Sequence, residues 1–219
     1  KETVLAAMAR LLDKTGMRVG NDSATQNNQT YGLTTLQKKH VETDNSEITW
    51  DYVGKGGKEI ERFLNDSKIV EIIDNCAEIP VQRLFEVLDE DGNKKPLNSH
   101  DLNSFLKKLM DESFSAKDFR TWRFSCYFIE KSLSAHQKGD KTTLTSILKN
   151  VSDISGNTPS ILKSSYIHPG LLEIVKDNHW DLLVKPNKIK QGLRQSEQIF
   201  LNYLQTEHAK NALLWTLPF

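Results

Sequence analysis

Five short segments of this chain hold polar residues whose types could do chemistry. They are TGMRVGN around Arg18, YVGKGGK around Lys55, KDFRTW around Arg120, SGNTP around Asn157 and KSSYIHP around Tyr166. An arginine presents a planar fork that donates two parallel hydrogen bonds to an oxyanion and keeps its charge at physiological pH. A lysine can hand over a proton. A phenol, with a pKa of about 10, can act as an oxygen nucleophile once it has lost one. Taken singly, each residue also has an ordinary reading. Arg18 after a helix could serve a surface ion pair, Lys55 in a glycine-rich hairpin could be simply solvated, and Tyr166 could be a core or rim aromatic.

Other chemistries fail on spacing. LDEDGNKKPLNSH looks like a calcium loop, but counting from Asp89 the sixth position is Lys94 and the twelfth is His100, where such a loop needs Gly and a bidentate Glu. The segment reads as a tight Asp-Gly turn. GKGGK lacks the GxxxxGK[ST] pattern of a phosphate-cradling loop, and Glu59 follows where a hydroxyl is needed. The six histidines form neither HExxH nor HxxxH. Cys76 and Cys126 are too far apart in sequence for a metal pair and fit no disulfide framework, so both read as buried free thiols. No nucleotide, metal or cofactor site is expected.

Read as a set, the segments gain meaning. RVGN, YGLTTLQKKHV, VGKGGK, AKDFRTW and GNTPSILKSSYIHP, in this order and spacing, resemble the signature run of type IB DNA topoisomerases, especially the compact bacterial and poxvirus-like branch. The resemblance extends from about residue 8 to about 185. It implies that Tyr166 is the nucleophile, that Arg18 and Arg120 are the arginines of the site and that Lys55 is the general acid. Asn157, nine residues before the tyrosine, falls where this superfamily places a His or, in bacterial members, an Asn. The implied activity is relaxation of supercoiled duplex DNA through a transient 3′-phosphotyrosyl link, with no metal, cofactor or nucleotide. Tyrosine recombinases share the mechanism but usually carry HxxR where this chain has Lys117-Asp118-Phe119-Arg120. That difference, and Pro159 after Asn157-Thr158, favour the topoisomerase. A site-specific recombinase and a catalytically silent DNA-binding fragment stay as alternatives.

Elementary chemistry agrees with that inventory. A phosphodiester is anionic and unreactive, so catalysis must place an oxygen nucleophile in line and neutralise charge on the non-bridging oxygens. Two arginines and the neutral donor of Asn157 would cover those oxygens. Lys55 at a hairpin tip could protonate the leaving 5′ oxygen. A cationic pocket would lower the cost of forming the phenolate. Lys38, Lys39, His40, Lys58, Lys117 and Lys163 are candidates for backbone contacts beside the site. Two positions depart from the family pattern. Ala24 stands six residues beyond Arg18, where related enzymes often have a phosphate-contacting tyrosine, and Ser164-Ser165 precede Tyr166 where a basic residue is expected.

These residues must be held by elements that the patterning lets one sketch. KETVLAAMARLLDKTG is an amphipathic helix over about 1–15 that stops at Gly16. NDSATQNNQTYG reads as a loop. LTTLQKKHVE and SEITWDYVG read as two strands joined at Asp44-Asn45-Ser46, and Glu59–Phe63 as a third, giving an antiparallel meander over 32–63 with Lys38, Lys39 and His40 on its first strand. From residue 66 the periodicity becomes helical. Asn98 or Ser99 caps a helix carrying Leu102, Phe105, Leu106 and Leu109. Further helices are expected over 117–134, over 144–154 up to Gly156, and over 193–214. SGNTPSILKSSYIHP reads as short helix and turn. The class is α+β, a small antiparallel sheet followed by a mainly helical part, as one catalytic domain over 1–219.

Bulk composition sets the outer limits. The apolar fraction of 37% and the charged fraction of 26% describe an ordinary folded protein. The formal net charge of zero lends no support to a DNA partner, so any phosphate-binding face must come from local clustering. No segment is long and apolar enough to span a membrane, and no signal peptide is visible. A first residue of Lys1 suggests a chain cut from a longer one, with an N-terminal domain elsewhere. Duplex DNA as partner, a monomer, no membrane, and a cytoplasmic, nucleoid-associated or viral setting complete the expectations.

Overall fold

A computed structural model describes residues 1–78, 82–110, 114–139 and 143–206. The chain divides into two compact units, Lys1–Arg120 and Thr121–Phe219. Each has its own apolar core. The fold is α+β, as expected.

The first unit opens with helix α1 (Glu2–Thr15), whose Leu5, Ala7, Met8, Leu11 and Leu12 form the buried stripe and whose end at Gly16 returns an N–H to the Leu12 carbonyl. A short helix, α2 (Asp22–Asn28), follows where the sequence reads as loop. The Asn21 side chain accepts from the Ser23 and Ala24 amides and caps it, but no residue of this helix is buried. The capping signal is therefore present and the apolar period absent, which is why patterning misses it.

The sheet is a three-stranded antiparallel meander of β1 (Val41–Asp44), β2 (Glu47–Gly54) and β3 (Lys58–Asn65). On β2, Ile48, Trp50 and Tyr52 are buried, while Asp51 and Val53 face out. Asp44 pairs with Glu47 across a two-residue loop in which Asn45 adopts φ 53. The start of the sheet corrects the sequence reading. Leu33–Thr35 and Lys38–His40 are single 3-10 turns, so Lys38, Lys39 and His40 precede the first strand rather than lie on it. Between these turns, the Leu36 carbonyl accepts from Leu84 and Gln37 bridges Arg83, so this stretch pairs briefly with 82–84. Leu33 and Leu36 are driven into the core by that path.

Helix α3 (Ser67–Glu78) starts at buried Asp66, which accepts from the Ile69 amide and takes an ion pair from Arg10 of α1 at 2.6 Å. A second correction comes next. A two-stranded hairpin, β4 (Glu86–Leu88) and β5 (Lys94–Pro96), interrupts the stretch expected to be helical. The turn between them is the expected tight Asp-Gly turn. Asp89 Oδ1 accepts from the amides of Asp91 and Asn93, and Gly92 N–H donates to the Asp89 carbonyl. Helix α4 (Ser99–Leu109) is capped by Asn98 in a reciprocal box with Asp101.

Helix α5 (Ala116–Gln137) runs from the end of the first unit into the second. The second unit continues with α6 (Leu144–Ser155), α7 (Pro159–Ser165), α8 (Pro169–Asp177) and α9 (Gln195–Leu204). Thr143 and Thr158 cap α6 and α7 with their side chains, and Pro159 and Pro169 open α7 and α8. The last helix starts two residues later than expected and stops at Leu204 with Gln205 as its cap, short of the expected span to 214, of which the part beyond residue 206 lies outside the described residues. Cys76 and Cys126 are both free and buried. No helix among the described residues is long and apolar enough to cross a membrane.

Candidate active site

In the first unit lie Arg18, after α1, Lys55, in the loop that ends β2, and Arg120, near the start of α5. Arg18 follows α1 in a segment stitched to the next one. Its carbonyl accepts from Leu33 at 2.8 Å, and the Val19 carbonyl accepts from the Thr34 amide at 2.6 Å and from Thr34 Oγ1 at 2.9 Å. Gly32 makes this approach possible. A Cβ there would stand 2.7 Å from the Arg18 carbonyl oxygen and 2.6 Å from the Gly20 nitrogen. One residue back, Tyr31 N–H donates to the Val53 carbonyl at 2.8 Å, which ties the same segment to β2.

Two residues further, β2 turns into β3 through Lys55, Gly56 and Gly57, with Gly54 paired to Lys58. Gly56 and Gly57 hold φ 80 and 73, a sequence of left-handed conformations that side chains resist. Lys55 is thereby presented on an exposed tip. Arg120, by contrast, is buried, at 3% exposure, near the start of α5.

Tyr52 reports on the electrostatics. Burial pushes its hydroxyl above the usual phenol range, and the charges of Arg62, Arg120 and Arg18 pull it back. The charges of Arg18 and Arg120 are thus both felt at one buried phenol. In the sequence Tyr52 lies within SEITWDYVG, which reads as a strand, and no motif there signals its charged surroundings.

In the second unit, Asn157 and Tyr166 stand at the two ends of α7. Asn157 is 1% exposed and directly follows Gly156. Its amide donates to Ser155 Oγ at 3.0 Å, and Ser152 Oγ donates to its carbonyl at 2.5 Å, fixing its backbone. Tyr166 is half-buried at the C-terminal cap of α7, and its N–H donates to the Leu162 carbonyl. Its ring meets Phe124 edge-on at 5.7 Å between centroids. Its carbonyl accepts from Ser125 Oγ at 3.3 Å, and the same hydroxyl accepts from the His168 amide at 3.1 Å. His168 is buried and its Nδ1 accepts from the Gly170 amide. Burial lowers its pKa to about 4. Neither Ser125 nor His168 was singled out from sequence, since a helical serine carries no signal of what it meets across the fold.

A profile of the family described as eukaryotic DNA topoisomerase I, catalytic core, matches residues 1–179, which includes every one of these positions. The chain belongs to the DNA topoisomerase I catalytic-core family. It is 30% identical over 189 residues to DNA topoisomerase 1B of Acanthamoeba polyphaga mimivirus, a match covering 81% of this chain and 56% of that protein. With DNA topoisomerase 1B of Vaccinia virus (strain Copenhagen) it shares 26% identity over 175 residues, 75% of this chain and 51% of the relative. With DNA topoisomerase 1 of Daucus carota it shares 30% over 146 residues, 64% of this chain and 17% of the relative. The chain therefore spans about half the length of the viral relatives it matches.

Within this topoisomerase I core, the other expected site residues divide by environment. Lys39, Lys58, Lys117 and Lys163 are exposed. Lys38 is half-buried and donates to the Ala77 carbonyl at 2.6 Å. His40 is buried against Tyr31, with ring centroids 4.3 Å apart, and its Nδ1 accepts from the Gln37 amide. Burial and the charge of Lys39 lower its pKa, with Asp51 opposing them. Ala24 lies on α2, beyond the Arg18 segment. Among the described residues, no group of three His, Cys, Asp or Glu is placed to hold a metal ion.

Proposed function

We propose that this chain relaxes supercoiled duplex DNA as a type IB topoisomerase. The observation that carries the reading is the family match over residues 1–179, which takes in Tyr166 together with Arg18, Lys55, Arg120 and Asn157. In this reading the Tyr166 oxygen attacks the phosphorus in line as it sheds its proton. The bond from phosphorus to the 5′ oxygen breaks, and Lys55 gives that oxygen a proton. Arg18, Arg120 and Asn157 hold the non-bridging oxygens as charge shifts onto them. The product is a 3′-phosphotyrosyl link and a free 5′ hydroxyl. Religation is the same path reversed, so the bond energy is kept and no nucleotide is consumed.

That the charges of Arg18 and Arg120 both bear on Tyr52 supports this assignment, as does the exposed Lys55 tip two residues from the Tyr31–Val53 tie. Lys39, Lys58, Lys117 and Lys163 are the proposed contacts to flanking phosphates. Lys38 and His40 are proposed contacts as well, beside the hydrogen bonds each makes within the protein. The chain works as a monomer on duplex DNA, in whatever compartment holds that DNA, and as a single catalytic domain. Relaxation of a negatively supercoiled plasmid in EDTA, without nucleotide, tests the reading. The expected result is loss of supercoils with this chain and none with Tyr166→Phe. Binding without relaxation by both proteins would mean a silent DNA-binding fragment.

A further inference from the structure

The peptide that carries Tyr166 is a three-residue hinge, Tyr166–His168, between α7 and α8. Its start is held by α7, since the amides of Tyr166 and Ile167 both donate to the Leu162 carbonyl, at 3.1 and 3.0 Å. Its end is held by His168, which caps α8 through Nδ1 and the Gly170 amide. Between those anchors one side chain from outside reaches both sides of the hinge. Ser125, on α5 and 0% exposed, donates its hydroxyl proton to the Tyr166 carbonyl and accepts the His168 amide proton on the same oxygen. Phe124, its neighbour on α5, meets the Tyr166 ring edge-on.

We infer that Ser125 is a positioning residue for the nucleophile. It fixes the backbone from which the Tyr166 phenol extends, so that the root of the attacking oxygen is set before DNA arrives. The physical case rests on how one hydroxyl is used. It satisfies a buried amide and a carbonyl two residues apart, and neither could turn toward water without pulling the hinge off α5. In-line attack is sensitive to such placement, since misplacing a reacting group by about 1 Å can cost on the order of a hundredfold in rate. The inference rests on the proposed function above, because it assigns the seat of that reaction's nucleophile.

The test compares the full chain with Ser125→Ala, Ser125→Thr and Tyr166→Phe. Amide hydrogen exchange reads the hinge without DNA. Single-turnover formation of covalent adduct on saturating suicide DNA reads the chemistry, and DNA affinity is measured beside it. In Ser125→Ala, exchange at the His168 amide should quicken by about tenfold or more, with Val151 of α6 unchanged. The adduct rate should fall by about tenfold or more while affinity stays within about twofold, and Ser125→Thr should restore both readings. An unchanged adduct rate in Ser125→Ala overturns the inference, even if the hinge exchanges faster. So does exchange that quickens equally throughout the second unit, since that is general loosening. If the wild-type chain forms no adduct at all, the proposed function fails on its own account. The exchange comparison then still decides whether Ser125 holds the hinge.

Discussion

Lys55 stands exposed on a glycine-framed tip, where a cation costs little to present. If it is the general acid, Lys55→Ala should slow cleavage, and a substrate with a better leaving group at the 5′ position should restore the rate. Arg18→Ala and Arg120→Ala should each lose on the order of a hundredfold or more and should not be restored, because their charge serves oxygens that do not leave. Rescue of an arginine variant by the leaving group would contradict these roles. Asn157→Ala should lose less, since a neutral donor makes the weaker hydrogen bond. His168 carries a different, pH-linked expectation. Buried with a pKa of about 4, it stays neutral in the fold where an unfolded histidine protonates near 6.5. Its contribution to stability is thus complete above about pH 6.5 and is lost as pH falls from there toward 4. The loss should amount to about 1–3 kcal/mol. Urea midpoints at pH 7.5 and 5 should differ for the wild-type chain and differ less for His168→Gln; equal pH dependence in the two proteins would count against this.

At the scale of elements, Gly32 is the point where the Arg18 segment and the path into the sheet press together. Gly32→Ala would force a Cβ to within 3 Å of the backbone of Arg18 and Gly20, and must shift the arginine. It should lower stability by about 1–3 kcal/mol and slow adduct formation more than it weakens DNA binding. A variant with wild-type adduct rate would show that the segment has room to give. The elements that patterning found are those with a clean period. Helix α1 and strand β2 bury one stripe or one face each, and α4 and α6 add caps that sequence displays openly. What it missed lacks such a signal. Helix α2 buries nothing, β4 and β5 are three residues each, and Leu33–His40 departs from strand geometry because Leu33 and Leu36 are needed in the core. The candidate site divides in the same way. Arg18, Lys55, Arg120, Asn157 and Tyr166 stand in motifs that can be read in order. Tyr52, Gly32 and Ser125 matter only through what folding brings against them, which no local spacing encodes.

The whole chain carries 29 basic and 29 acidic residues, so the proposed attraction to DNA rests on where the cations lie and not on their sum. The two units have separate cores. The first holds both arginines and the lysine, and the second holds Asn157 and the tyrosine on its Ser125 seat. The claim that unites them is that Tyr166 becomes covalently joined to DNA. The direct measurement is to incubate the chain with a suicide duplex in EDTA without nucleotide, digest the trapped complex, and locate the modified residue by mass spectrometry. The expected result is a 3′-phosphotyrosyl adduct on Tyr166, absent from Tyr166→Phe. An adduct on another residue, an adduct that survives in Tyr166→Phe, or none with the wild-type chain would contradict the account.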